Sequence, residues 1–554
     1  MALYWFGVAL LGLFYASVVA VGLWTGMRRG SGHVRSERIM LAGRQTGLFV
    51  GICTLTATWV DGSLLTSTVD VIANRGLLWC QLPVAFVLSL VICGAFFAGP
   101  MWRAGHTTML DPLQVAFRSR ATPLLFLPIF SGGLLYCGSI LKALGATVNV
   151  VTGLDPITAM SLSATVAVLY TALGGLYSVR YTDIVQLTCI LVGMWLCVPF
   201  LLSNEHKGDL SSIPFQDWTG RLELWQLPSY LDTMFMLTLG SVVWQGSFQR
   251  LLSAESESAA KIMAYAGALG MLLVSVGAVL LGCVSRFADW DATTYGDDHG
   301  SRSPLGDNSQ SSFLLPLTLH YFTPAAVSSL GQGAVAAAAM SSIDSTLLSM
   351  STLFTRNIYV ALLRPQASER ELVWTLRLST ALAALFGVLV AVSPVSVYGL
   401  SVLSSDYLYI ILFPQFVAAV HFPSMCNAYG SLAAFCLGLA LRFLVGEPFL
   451  GLPAVFGGHD PVSGEQLFPV KTAIMLVSLI TLLVASVATK TLLEKLPPKY
   501  DVLTVRDSMR DTTLALVPQL PEKALLDADL LAYDLLKTDA RKDSLGAGTI
   551  DRIC

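Results

Sequence analysis

Charged residues are scarce in this chain: Asp, Glu, Lys and Arg make up 12% of its 554 residues, whereas 54% are hydrophobic. This balance excludes a water-soluble domain, because long apolar runs with few charges are typical of membrane-spanning helices. It also excludes a transmembrane β-barrel, whose strands alternate instead of forming continuous apolar blocks. With a net charge of -3 and no basic tract, the sequence gives no indication of nucleic-acid binding.

The chain also lacks the motifs of common enzyme classes. It has seven histidines but no HExxH, GxSxG or Walker A motif. Its ten cysteines have no paired spacing, so neither a disulfide framework nor a zinc site is indicated. We therefore expect no enzymatic activity, and a carrier without a phosphate-binding loop is expected to use an ion gradient rather than ATP.

The apolar runs predict an all-α polytopic membrane protein with about thirteen transmembrane helices of about 20 residues each. The first run has no basic segment before it, so we interpret it as a retained span rather than a signal peptide. Basic loops around Arg28, Arg103 and Arg356 place the N-terminus outside and the C-terminus in the cytoplasm. The predicted spans are 4–25, 47–69, 77–100, 123–150, 156–176, 182–203, 229–252, 262–287, 326–355, 373–393, 398–421, 428–445 and 471–492, with a short outer helix at 313–321.

The ninth span contains a carboxylate and several hydroxyls within its apolar run. An ionisable group inside a membrane span is costly and is kept mainly where it has a function. Ser341, Asp344 and Ser345 share one helix face, because residues three and four apart are neighbours. Their oxygens are hard ligands that suit a small cation such as Na⁺. The alternative is structural, with hydroxyls bonded to the preceding turn and Asp344 paired with a buried base.

Polar residues also interrupt the second and seventh spans, near Asp61 and Gly246. Carriers often use discontinuous helices, whose freed carbonyls bind the coupling ion. Each interruption carries a tryptophan, Trp59 or Trp244, and facing tryptophans can hold a quaternary ammonium by cation–π attraction. The alternatives are a straight helix with a polar stripe and tryptophans that only pack. Between the fifth and sixth spans, glycines predict a tight turn, with Asp183 capping the next helix.

Several strings together resemble the sodium/solute symporter family, in particular its high-affinity choline transporter branch, from about Gly47 to Lys499. The resemblance implies a LeuT-type inverted repeat of five plus five helices that begins at the second span. The strings are TATWV (56–60), TMLDP (108–112), ALGAT (143–147), GGLYSVRYTDIVQL (174–187), WQGSFQR (244–250), MSSIDS (340–345), RNIY (356–359), LSSDYLYIILFPQ (403–415) and LRFLVGEP (441–448).

The resemblance implies four regions. Residues 1–46 hold an extra span and a cytoplasmic loop, 47–421 the transporter core, 422–492 additional spans, and 493–554 a cytosolic tail. Leucine pairs in the tail, beginning at Leu525, Leu530 and Leu535, are typical of either an amphipathic helix or a signal for sorting machinery, and a disordered tail is the alternative.

The resemblance also implies a sodium site and an additional sodium-linked acid, Asp344. Transporters of this branch depend on chloride as well, although no chloride ligand can be placed. The implied sodium ligands are the carbonyls of Ala57, Val60 and Ala338 and the hydroxyls of Ser341 and Ser342.

The implied choline cage departs from the family pattern. Trp59 and Trp244 match it, whereas Phe86 replaces a family Tyr and Tyr136 a family Trp. A further family Trp corresponds to Ser401. Where the family has a glycine-rich run, this chain has Asp61-Gly62-Ser63, and the carboxylate of Asp61 is expected either to attract a cation or to stiffen and hydrate the pocket.

These residues predict a sodium-coupled symporter that imports choline or a related organic cation by alternating access. The resemblance implies a role in neurotransmitter biosynthesis and a plasma membrane location, with synaptic and vesicle membranes as alternatives. Two other functions remain open: a sodium-linked carrier for another small solute, and a non-transporting, sodium-gated sensor on the same fold.

Overall fold

A computed structural model of the chain describes residues 5–27, 40–117, 122–208, 213–299, 303–306, 310–446, 452–455, 466–497, 501 and 503. The chain divides after Arg506. The segment beyond it, with the leucine pairs of the tail, lies outside the described residues, as does the first basic loop at Arg28.

The predicted all-α architecture is confirmed. The helices of the described residues, in chain order, are α1 (Trp5–Met27), α2 (Leu48–Trp59), α3 (Gly62–Arg75), α4 (Gln81–Ile92), α5 (Ala98–Arg103), α6 (Asp111–Phe117), α7 (Phe126–Thr152), α8 (Pro156–Ser203), α9 (Phe215–Thr219), α10 (Leu227–Val242), α11 (Gln245–Leu251), α12 (Glu257–Phe287), α13 (Thr294–His299), α14 (Leu314–Phe322), α15 (Ala325–Leu353), α16 (Glu369–Ala391), α17 (Val397–Tyr407), α18 (Phe413–His421), α19 (Ala428–Leu444) and α20 (Val470–Lys495). Short 3-10 or π-helical segments lie at Ala42–Arg44, Leu77–Trp79, Cys93–Phe97, Thr122–Leu125, Glu205–Lys207, Leu224–Gln226, Phe354–Leu363, Leu408–Leu412 and Pro423–Met425.

Fewer helices than the thirteen predicted spans are long and apolar enough to cross a membrane. Among the described residues, nine helical segments are long and apolar enough to cross a membrane, or ten when α2 and α3 count as one broken span. Shorter apolar helices lie at Pro156–Ala172 and Ala428–Leu444. Each predicted span overlaps a helix, but the count of thirteen stays a prediction.

Helix α15 forms the centre of the molecule. Its most apolar window is 83% buried, compared with 28% for α1 and for α20 at the periphery. Four consecutive alanines, 336–339, keep this helix narrow where α3 begins. Gly62 is needed there, because a Cβ atom at this position would lie 2.8 Å from the Cβ atom of Ala339. Small residues therefore bring the α2–α3 break directly against α15.

The fifth and sixth predicted spans both lie in α8, which is interrupted by a kink at Gly175, where the dihedral angles are non-helical (φ 59°, ψ -163°). The positive φ explains the glycine, since other residues rarely adopt it. The prediction that Asp183 caps a new helix is wrong. Asp183 lies inside α8, well past the kink, and its carboxylate is fully buried.

Candidate functional site

The second predicted span is broken between α2 and α3, which meet at a bend of 48°. Val60 ends α2 with non-helical dihedral angles (φ -86°, ψ 86°), and Asp61 is extended (φ -104°, ψ 163°). The last carbonyls of a helix have no partner within the helix. The carbonyls of Ala57 and Val60 belong to this end of α2, where they are available to a ligand.

The hydroxyl face of α15 meets this helix end. The Ser342 hydroxyl donates to the Thr58 carbonyl at 3.0 Å, and the hydroxyls of Thr58 and Ser345 are 3.2 Å apart. Ala338 lies one turn before Ser342 and is fully buried. Among the predicted sodium ligands, Ser342 thus contacts the end of α2 directly. Ser345 also bonds to the Ser341 carbonyl at 2.7 Å, as the structural alternative expected.

Asp344 faces α8 instead. Its carboxylate accepts hydrogen bonds from the Tyr170 hydroxyl and, at 3.0 Å, from the Thr171 hydroxyl. The carboxylate is fully buried. The structure thus places Asp344 in a buried polar layer between α15 and α8.

Asp183 joins that layer, although the sequence suggested only a helix cap. The Ser341 hydroxyl donates to its carboxylate at 2.6 Å, the Thr54 hydroxyl also donates to it, and the Arg250 guanidinium lies at 3.8 Å. An acid within a predicted membrane span is the signal that indicates a functional site. The same signal identified Asp344, so Asp183 was within reach of sequence reasoning.

Arg250 is the cation of this buried layer, with no exposed surface. Besides its ion pair with Asp183, it donates to the Ser345 hydroxyl and to the Gly246 carbonyl, the latter at 3.3 Å. We call Asp183, Asp344, Arg250 and the hydroxyls of Ser341 and Ser345 the ion region. Since buried charges need partners, these groups form one electrostatic unit.

The seventh predicted span is broken as expected. Helix α10 ends at Val242, and Trp244 precedes α11 with extended dihedral angles (φ -97°, ψ 121°). The Trp59 indole N–H donates to the Ser247 hydroxyl of α11 at 2.9 Å. This hydrogen bond joins the two helix breaks.

Four aromatic side chains line one small cavity between these breaks. The ring centroids of Trp59 and Trp244 are 5.1 Å apart, as are those of Trp59 and Phe86, and Tyr136 lies 5.4 Å from Trp244. All three pairs meet edge to face. The other lining residues are Ser241, Ser404, Ser405 and Leu408. The aromatic residues of the predicted cage are therefore brought together, and we call this cavity the aromatic pocket.

Asp61 and Ser401 stand behind the aromatic pocket instead of lining it. The Tyr136 hydroxyl donates to the Asp61 carboxylate, which also caps α3 by accepting from the Leu64 N–H at 2.7 Å. The Ser401 hydroxyl lies 3.5 Å from that of Ser63. Asp61 is fully buried and Ser401 is 2% exposed.

Comparison with known proteins gives consistent matches. A model of the Sodium:solute symporter family matches residues 39–438. High-affinity choline transporter 1 of Drosophila melanogaster is 44% identical over 499 residues, covering 89% of this chain and 80% of the relative. High affinity choline transporter 1 of Homo sapiens is 39% identical over 513 residues, covering 90% and 87%.

Among solved structures, a substrate-bound, outward-open Na⁺-coupled sialic acid symporter is similar with a TM-score of 0.67 and 18% identity. The likeness covers 88% of this chain and 98% of that structure. At this identity it concerns the fold alone, and it confirms the predicted LeuT-type architecture.

Proposed function

The chain belongs to the Sodium:solute symporter family, and we propose on that premise that it imports choline or a related organic cation with sodium, by alternating access. It is a transporter, not an enzyme. One observation carries the proposal: Trp59 lines the aromatic pocket, and the next residue, Val60, offers a proposed sodium ligand at the break. Because the two are consecutive, a ligand at one site acts directly on the other.

In this proposal sodium binds to the carbonyls of Ala57, Val60 and Ala338 and to the hydroxyls of Ser341 and Ser342. An all-oxygen set suits a hard cation. The support is the approach of α15 to the end of α2, where the Ser342 hydroxyl already lies 3.0 Å from the Thr58 carbonyl. Sodium at this point holds α2 and α15 in one relative position.

The charges of the ion region support a further role for its acids. Asp183 and Asp344 carry two negative charges when both are ionised, whereas Arg250 carries one positive charge. A single monovalent cation balances the remainder, and buried charges persist mainly when they are balanced. We therefore assign Asp344 as a sodium-linked acid and extend that role to Asp183.

The aromatic pocket suits choline through the chemistry of its headgroup. A trimethylammonium group has no hydrogen-bond donor, so it binds best to aromatic faces, among which Trp is the strongest. Choline also carries a hydroxyl, for which the pocket offers Ser241, Ser404 and Ser405. The choline transporters among the relatives support this choice of substrate.

Coupling requires that each ligand bind one conformation better than the other. Sodium joins α15 to α2, whereas the organic cation joins the four aromatic side chains around the two breaks. Each ligand thereby stabilises the arrangement that the other needs. The break between α2 and α3 belongs to both sites and therefore connects them physically.

The proposal extends to chloride, location and cellular role. Uptake depends on chloride, occurs at the plasma membrane or at synaptic or vesicle membranes, and supplies neurotransmitter biosynthesis. The N-terminus is outside, and the cytoplasmic tail binds sorting machinery. Replacement of chloride by gluconate tests the first point, and accessibility of epitope tags at the two ends of the chain in intact cells tests the orientation.

The decisive experiment uses the full chain in proteoliposomes with labelled choline. An inward sodium gradient should drive accumulation above equilibrium, and an equal potassium gradient should not. Accumulation of betaine or a neutral solute instead of choline would favour a carrier for another solute. Sodium currents without solute accumulation would favour the sodium-gated sensor. An absence of sodium-dependent choline uptake contradicts the proposal.

A further inference from the structure

Four polar side chains form one buried group at the back of the aromatic pocket. The hydroxyl of Tyr136 donates to one oxygen of the Asp61 carboxylate, and the Ser63 hydroxyl donates to the other. The Ser401 hydroxyl lies 3.5 Å from that of Ser63. None of the four residues is more than 7% exposed. We call Asp61, Ser63, Tyr136 and Ser401 the Asp61 cluster.

The Asp61 carboxylate differs from other buried carboxylates in its partners. Asp406 pairs with Arg442 at 2.6 Å, and Asp183 lies 3.8 Å from Arg250. In the part of the chain that the structure describes, the partners of Asp61 are neutral: two hydroxyls and the main-chain N–H groups of Ser63 and Leu64. Acids are almost never fully buried unless they are paired. A cation from outside the chain would supply such a partner.

Helix capping alone does not explain a carboxylate at this position. Asn and Ser cap helix N-termini about as well as Asp, and neither brings a charge into the interior. Burial of an unpaired carboxylate costs free energy. A carboxylate at this position therefore indicates a role that a neutral cap lacks.

Tyr136 connects that charge to the cavity. Its ring lines the aromatic pocket, whereas its hydroxyl bonds to Asp61. Donation to a carboxylate increases the electron density of the phenol ring, which strengthens its attraction for a cation. The carboxylate adds a Coulomb attraction that water screens poorly at such depth.

We propose that Asp61, acting through Tyr136, sets the preference of the aromatic pocket for an organic cation over a neutral molecule of the same shape. Asp61 is then a specificity-determining residue that does not touch the ligand. This inference rests on the proposed choline transport and deepens it, because it names positive charge, rather than shape, as the property that is selected.

The test compares choline with its neutral carbon isostere, in which a carbon atom replaces the nitrogen. Binding of both is measured on the purified full chain at saturating sodium. Asp61→Asn keeps the cap but removes the charge, so choline binding should weaken about tenfold. Binding of the isostere should change by less than about twofold. Tyr136→Phe should weaken choline similarly, and the double variant should be no worse than either single one.

Asp70→Asn is the matched control, since it removes an acid from the same helix α3, where Asp70 bonds to Asn74. It should leave the choline-to-isostere ratio unchanged. If Asp61→Asn does not fold, Asp61→Ser offers a second neutral cap, and Tyr136→Phe tests the same link without altering the break.

Two results would overturn the inference: an unchanged choline-to-isostere ratio in Asp61→Asn, which includes equal weakening of both ligands, or a shift only in the sodium concentration for half-saturation. The last would assign the Asp61 charge to the ion. These results differ from failure of the proposed function, which appears in the unaltered chain. A wild type that binds neither ligand contradicts both proposals.

Discussion

The ion region and the aromatic pocket meet at the same break between α2 and α3, yet the buried charges of the two regions are balanced in different ways. In the ion region, the Arg250 guanidinium lies 3.8 Å from the Asp183 carboxylate, so the protein itself supplies the charge that balances one of the two acids. Behind the aromatic pocket, Asp61 is surrounded by neutral donors. The ion region therefore balances one of its two negative charges without a ligand, whereas Asp61 depends on a ligand for all of its charge balance.

Asp183→Asn should have the largest effect, because it leaves Arg250 buried without its ion-pair partner. Breaking a buried pair in this way typically costs about 3–5 kcal/mol of stability. We expect a lower melting temperature in detergent, and a loss of the stabilisation that added NaCl gives the wild type. Thermal unfolding across a sodium titration measures both quantities.

The buried pair of Asp406 and Arg442 is the control for this prediction. Asp406→Asn should also lower stability but should keep the response to sodium. Adding Arg250→Gln to Asp183→Asn should recover part of the stability, since no buried charge is then unpaired, without restoring the response. If Asp183→Asn still responds to sodium, Asp183 is not linked to sodium binding.

Trp244→Ala should be the most harmful change in the aromatic pocket. The Trp244 ring contacts both Trp59 and Tyr136, so its loss removes one aromatic face and loosens two others. Cation–π contacts are worth about 2 kcal/mol when desolvated, which is about a thirtyfold loss of choline affinity. Trp244→Phe should retain more uptake than Trp244→Ala, and equal losses would contradict the cation–π account.

The spans and both helix breaks could be predicted from the sequence, because both are local properties. Long apolar runs identify spans, and the polar residues near Asp61 and Gly246 mark where the helices stop. Asp183 was misassigned because a glycine turn before it suggested a cap, whereas α8 resumes directly after the kink at Gly175. The local pattern alone could not show how far past the turn the acid lies.

The Asp61 cluster could not be predicted in the same way. Asp61 and Tyr136 are far apart in sequence, and their hydrogen bond depends on how α7 packs against the break. The sequence marked Asp61, Tyr136 and Ser401 as separate departures from a family pattern. Only the packing of the helices shows that they belong to one group.

A third prediction concerns the hydroxyl and the acid of α15. Ser341→Ala removes a proposed sodium ligand and a hydrogen bond to Asp183, and Asp344→Ala removes a charge from the ion region. Each should raise the sodium concentration for half-maximal choline uptake about tenfold or more, because one lost contact to a charged group costs about 1.5–3 kcal/mol.

Ser349→Ala is the matched control on the same helix, since Ser349 is buried but bonds to Gln249 instead of the ion region. Its sodium dependence should equal that of the wild type. Unchanged sodium dependence in both Ser341→Ala and Asp344→Ala would contradict the site, whereas a change in Ser349→Ala would point to a general loss of α15 packing.

The smallest effect is expected for Phe86→Tyr, which restores the family residue in the aromatic pocket. The ring keeps its edge-to-face contact with Trp59, at 5.1 Å between centroids, and the faces of Phe and Tyr attract cations similarly. Choline affinity, measured by competition binding, should therefore change by less than about twofold. A large gain would mean that a missing hydroxyl limits the aromatic pocket. A small change in choline affinity in Phe86→Tyr, together with a large loss of choline affinity in Asp61→Asn, would indicate that the aromatic pocket selects for charge rather than for shape.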